Sequence, residues 1–213
     1  MQAKRAVRPD DSPRFHHPRN LFCLPGQGRF LLMPDHKYDM IVSIIKFSEG
    51  RMELVKIGKM DVDGLAALVA AFRTQLKSYK GIRSTPDIDA GKEEILEFLN
   101  SGFPIYAVKD LESFVGYIVC RIDEPCLWVE HIFVREDYRK RGIAAMLFEK
   151  AEEIAASMGE DTVYNYVHPN NENMIRFLRS KGYTVLNMIE IRKPYPGEKL
   201  TATIHVEKEA FDY

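Results

Sequence analysis

The sequence predicts a mixed-sheet α/β (α+β) fold with helices on the faces of the sheet. Three observations lead there. Short runs rich in Val and Ile are bounded by turn residues, which is strand chemistry. Longer segments repeat apolar residues at helical spacing. The segment Leu127 to Val167 reads strand, helix, strand, a parallel crossover, whereas the runs before it are joined by gaps so short that they must be antiparallel. A chain of 213 residues with 46% hydrophobic and 29% charged residues has enough apolar material for a packed core.

The first 38 residues stand apart. They hold Pro9, Pro13, Pro18, Pro25 and Pro34, and basic residues outnumber Asp10, Asp11 and Asp35. No apolar period runs through them, so the expectation for 1–38 is a flexible basic tail, and for 39–213 a single domain with a C-terminal strand extension. Met40–Lys46 and Met52–Ile57 read as strands. Asp61 offers an N-cap, and Leu65, Leu68, Val69, Phe72 and Leu76 give one apolar face to a helix near 62–79. A second helix near 90–100 carries Ile95, Leu96 and Leu99. Strands Ile105–Val108, Phe114–Arg121 and Leu127–Val134 follow, then a helix from Gly142 to Met158, a strand Thr162–Val167, and a helix from Asn171 to Lys181. The last strands are Thr184–Arg192 and Thr201–Glu207, around the turn Pro194-Tyr195-Pro196-Gly197. From Met52 on, the expected order is therefore β-α-α-β-β-β-α-β-α-β, with Thr201–Glu207 as the extension.

A formal net charge of -1 gives no global attraction to nucleic acid, and none is expected as a partner. No apolar run, Met40 to Ile45 included, is long enough for a membrane span. Cys23, Cys120 and Cys126 are odd in number and lack any zinc spacing, so buried thiols in a reducing compartment, the cytoplasm, are expected, and no metal site. His168, before Pro169, is expected as a turn residue. The phosphate motif G-x-x-x-x-G-K-[ST] is absent.

The chemistry concentrates in VEHIFVREDYRKRGIAAMLFEKAEE. A strand ends at Val134, a loop brings Arg135, Arg139, Lys140 and Arg141, and Gly142 opens a helix with Ile143, Ala144 and Ala145. A helix start presents unpaired N–H groups and partial positive charge, and small residues let a ligand approach the backbone. With basic side chains beside it, this is a cradle for a diphosphate.

Arg139-Lys140-Arg141-Gly142-Ile143-Ala144 matches R-x-x-G-x-A. Farther on stands Asn171-Glu172-Asn173-Met174-Ile175-Arg176-Phe177-Leu178-Arg179-Ser180-Lys181-Gly182-Tyr183, which is similar to an Asn-x-x-Ala-x-x-Phe-Tyr-x-x-x-Gly-Phe helix. Both motifs in order, separated by a helix and a strand, resemble the GCN5-related N-acetyltransferase (GNAT) superfamily from about Met52 to Lys193. The resemblance implies acetyl-CoA as co-substrate and an amine, small-molecule or protein, as acceptor. It implies that the backbone of Ile132, Phe133 and Val134 pairs with the pantetheine arm, that amides from Arg139 to Ala144 (Arg139, Lys140, Arg141, Gly142, Ile143, Ala144) hold the pyrophosphate, and that Asn171 bonds the arm. It also implies a bulge in the strand Glu130–Val134, splaying it from the next strand, with an N–H near Ile132 for the thioester oxyanion.

An amine attacks only when neutral, and a lysine-type amine is neutral in about one molecule in 10³ at pH 7. A base therefore helps, most of all for lysine-like amines, and Glu130 is the candidate. Period two puts it on the face of Trp128 and Ile132, with His131 opposite as a packed, hydrogen-bonded residue. Leu178 stands where the family has Tyr as general acid, and leucine donates no proton. The expected reaction is direct attack in a ternary complex; the alternative is a non-catalytic acyl-CoA binding module. The residues 194–213 complete the sheet or exchange with a second subunit, which makes a homodimer the favoured assembly.

Overall fold

The computed structural model describes residues 52–213, together with the backbone of two short strands, β1 (Leu21–Cys23) and β2 (Phe30–Leu32). These two pair antiparallel and lie within the expected tail. The rest of 1–38 and the strand expected at Met40–Lys46 lie outside the described residues. The chain divides into two compact units, one ending at Tyr166 and one spanning Val167–Tyr213.

The first unit is built on a sheet of five strands in the order β3-β4-β5-β6-β7. They are β3 (Met52–Lys56), β4 (Ile105–Asp110), β5 (Ser113–Asp123), β6 (Cys126–Val134) and β7 (Tyr164–Asn165). β3 to β6 are antiparallel to their neighbours, and β7 runs parallel to β6, as the crossover requires. Three helices pack on this sheet: α1 (Val62–Tyr79), α2 (Ile88–Asn100) and α3 (Ile143–Ser157). Asp61 precedes α1, but its carboxylate accepts from the Gly58 amide (2.9 Å) rather than from the helix. Asp87 is the side-chain cap of α2, accepting from Ala90 N.

The apolar stripe of α1 lands where its period puts it. Leu65, Leu68 and Val69 are buried with Ile95 of α2 and with Ile105, Ala107, Tyr117, Val119 and Phe133 of the sheet. Gly91 lets the two helices touch: a Cβ there would stand 2.6 Å from the Ala66 carbonyl oxygen. α3 covers the other face with Ile143, Leu147, Phe148, Ala151 and Ala155, all buried. A Cβ on Gly116 would meet Ile143 Cγ2 at 3.0 Å, which marks the face of Gly116 and its partner Val134 as the α3 face.

The second unit holds α4 (Glu172–Ser180) and the hairpin β8 (Thr203–Val206) with β9 (Glu209–Asp212). The Asn171 side chain caps α4 by accepting from Met174 N (3.2 Å). His168 is a turn residue, as expected: its carbonyl accepts from Asn171 N, its Nδ1 from Asn170 N, and its ring meets the Tyr213 hydroxyl. Two expectations need correction. The strand Thr162–Val167 shrinks to two residues, and Thr184–Arg192 forms no regular structure, with Val185, Leu186, Met188, Ile189 and Ile191 exposed. Strand composition alone does not make a strand; the ladder needs a partner, and among the described residues none pairs with 184–192. The expected strand Thr201–Glu207 is one arm of the hairpin. Among the described residues no helix is long and apolar enough to cross a membrane, and no group of three or more metal-ligating side chains occurs.

Candidate active site

The candidate site lies where β6 meets β7. Only Trp128 and Val129 of β6 pair with β7, through Tyr164 and Asn165. From Glu130 to Val134, that edge of β6 has no strand beside it among the described residues. The other edge stays on β5 throughout, with one irregularity: Val119 pairs with His131, but Cys120 pairs with Val129. One step on β5 is matched by two on β6, so Glu130 is the extra residue of a β-bulge.

The bulge re-aims the side chains. Directly paired residues share a face, so Trp128 lies with Arg121, and His131 with Val119, all toward α1 and α2. Ile132 pairs with Ile118 on the α3 face. Glu130 joins the first group, because its Oε1 accepts from Arg121 Nε at 2.6 Å. Period two had put Ile132 with Glu130 and His131 opposite; the extra residue reverses both.

Backbone direction follows from one bond. Arg135 N donates to Val115 O (2.9 Å), so by alternation the Phe133 groups also face β5, and those of Ile132 and Val134 face the unpaired edge. Of the three residues expected to pair with the arm, Ile132 and Val134 turn backbone groups to that edge and Phe133 does not. Phe133 instead packs its ring against Tyr117 and Phe72.

Beyond Val134 the loop is braced at several points. Arg139 Nε donates to Val134 O (3.0 Å) and its Nη2 to Gln75 Oε1 of α1 (2.8 Å). Tyr138 donates to Asp110 Oδ2 (2.6 Å), and Arg141 to the Asp137 carbonyl (2.8 Å). Arg135 is held by Asp137. Arg135, Arg139 and Arg141 thus shape the loop with their side chains, while Lys140, at φ 61, stays exposed. Gly142 caps α3 in the left-handed region (φ 82) and has no side chain to bond the first-turn amides. The first helical bond comes only at Met146 N to Gly142 O. The amides of Ile143, Ala144 and Ala145 therefore point out of the helix end with its positive dipole behind them.

Sequence reading missed a polar network beneath Glu130. His131 is buried, with Nδ1 3.2 Å from the Tyr117 hydroxyl and Nε2 3.3 Å from Glu94 Oε1. Arg73 of α1 pairs with Glu94 of α2. Burial, and then the Arg73 charge, pushes the imidazole down from its ordinary 6.5 to about 3. Neutral His131 then donates from Nε2 to Glu94 and accepts at Nδ1 from Tyr117; the tautomer is assigned from these partners. Burial raises the Tyr117 hydroxyl well above the usual phenol range, which keeps it a donor. No local signal announces this network, since its members come from four elements. Arg121 is equally invisible: the bulge carries Glu130 to it.

The His131 environment makes a pH prediction. Because its folded pKa lies below its unfolded one, the unfolded chain binds the extra proton between about 3 and 6.5. Stability is therefore kept above pH 6.5 and declines as pH falls through that window, by up to about 1.4 kcal/mol per pH unit from this group. Chemical denaturation at stepped pH measures this slope, and His131→Phe flattens it.

Comparison with known proteins agrees with this geometry. Residues 68–183, over half the chain, match the model of the Acetyltransferase (GNAT) family. The fold is similar to an aminoglycoside N-acetyltransferase, AAC(6')-Iy, solved in complex with CoA: TM-score 0.53 and 16% identity over 67% of this chain and 94% of that one. It is also similar to a ribosomal-protein-alanine N-acetyltransferase from Brucella melitensis (TM-score 0.53, 15% identity, 68% and 99% covered). A third similar structure is the PaiA N-acetyltransferase of Thermoplasma acidophilum in complex with coenzyme A (TM-score 0.52, 21% identity, 61% and 87% covered). With a bulged β6, a glycine-led helix and residues 68–183 matched, the chain belongs to the GNAT family of acetyltransferases.

Proposed function

We propose that the protein transfers the acetyl group of acetyl-CoA to a primary amine by direct attack, with Glu130 as general base. The observation that carries this is the bulge. It leaves the Ile132 N–H and C=O and the Val134 N–H at an edge with no described strand beside it, the Val134 carbonyl being held by Arg139, and it turns Glu130 to the face opposite α3. The donor then enters from the α3 side, its diphosphate on the amides of Gly142, Ile143 and Ala144, and the acceptor enters from the α1–α2 side. The two meet in the gap between β6 and β7.

There the Ile132 N–H donates to the thioester oxygen as negative charge develops on it. The amine nitrogen bonds the carbonyl carbon, its proton passes to Glu130, and the C–S bond breaks. The CoA thiolate takes its proton from water, because Leu178 stands in the sequence motif where the family has Tyr and has no proton to give. Asn171 is the further proposed contact to the pantetheine arm; in the second unit it also caps α4. The co-substrate is suggested by the family and by CoA in two of the similar structures.

The missing Tyr favours one rival, a module that binds acyl-CoA without turnover. Thiol release from acetyl-CoA, measured across a panel of amines, separates them. Release above the hydrolysis background with at least one amine is the expected result; tight CoA binding without amine-dependent release identifies the rival.

A further inference from the structure

We propose that the acceptor side of the gap contains an aromatic subsite, with Tyr166 as its free face, and that the acceptor is an arylalkylamine. This rests on the acetyl-transfer reading above and names its substrate class.

Val129 and Asn165 are the last paired residues, so Glu130 and Tyr166 are the first residues on the two lips of the opening. The Tyr166 ring stacks on Trp128 at 4.7 Å with planes 15° apart, and Tyr164 lies on the same indole at 4.8 Å. Arg121 sits over the Trp128 ring at 5.5 Å. The same guanidinium holds Glu130 at 2.6 Å and Asp123 at 2.9 Å. One residue thus fixes the aromatic column and the carboxylate together. Tyr166 is 63% exposed, so the column offers a π face at the mouth.

The local charges point away from a polycation. Glu130 and Asp123 are both paired with Arg121, and Glu94 with Arg73, so a spermidine-like acceptor would meet no unpaired carboxylate among these three. A flat ring gains stacking on Tyr166, and an amine two or three bonds away reaches across the opening toward Glu130.

Trp128 is the single tryptophan of the chain, so its fluorescence reports directly on the column. The full-length protein with CoA bound is titrated with 2-phenylethylamine, hexylamine and spermidine. A saturable change in Trp128 emission with 2-phenylethylamine alone is expected, and it is lost in Tyr166→Ala. In the CoA-release assay, the ratio of kcat/KM for 2-phenylethylamine over hexylamine falls roughly three- to tenfold in Tyr166→Ala and recovers in Tyr166→Phe. Tyr166 is exposed, so both variants fold. No saturable response to 2-phenylethylamine, an equal response to hexylamine or spermidine, or an unchanged ratio in Tyr166→Ala overturns the subsite. The base assignment fails separately, by normal turnover of every amine in Glu130→Gln.

Discussion

Glu130→Gln lowers kcat with a primary amine by about a hundredfold or more, within the range of a lost general base. Glutamine keeps the acceptor oxygen that Arg121 Nε binds, so the bulge and the Arg121 contact survive and only the proton-accepting function goes. The consequence shows most clearly in the pH profile. Without a base on the enzyme, only amine that is already neutral reacts, so kcat/KM for the amine climbs tenfold per pH unit toward the amine's own pKa. Steady-state kinetics of both forms between pH 6 and 10 test this. Identical rates and profiles would remove Glu130 from the mechanism.

Gly142→Val weakens CoA binding by about tenfold or more. The residue sits at φ 82, where a side chain costs on the order of 1–2 kcal/mol and a β-branched one more. Among the described residues no atom outside its chain neighbours lies within 4 Å of a Cβ at this position, so the effect is one of backbone conformation and not of crowding. Relieving the strain turns the amides of Ile143 and Ala144 away from their common direction. Gly142→Asn, which tolerates the left-handed region, keeps most of the affinity. Calorimetry of the two variants checks this; equal affinity in Gly142→Val and the native protein would mean that the helix start does not hold the diphosphate.

Much of the fold was legible because local signals agreed with one another. The stripe of α1, the short turns between β4, β5 and β6, and Gly142 at the head of α3 each follow from spacing and backbone chemistry. The sheet edge was less so. Thr184–Arg192 has the composition of a strand, but pairing is a property of two segments, and one segment's residues do not report it. At the candidate site, the glycine-led helix start and its basic loop were legible from a glycine, small residues and basic neighbours in sequence. The facing of Glu130 was not: a single extra residue moves His131 to the side of Glu130 and Ile132 to the other, and period-two counting cannot see an insertion whose partner lies on β5. The Tyr117–His131–Glu94–Arg73 network was hidden for the same reason, since contacts between α1, α2, β5 and β6 exist only once the sheet has formed.

The most direct measurement is calorimetric titration of the native protein with coenzyme A. Main-chain amides at Gly142, Ile143 and Ala144, with the edge groups of Ile132 and Val134, predict one site per chain with a micromolar or tighter dissociation constant, weakened by Gly142→Val. Heats no larger than dilution at millimolar coenzyme A would contradict it.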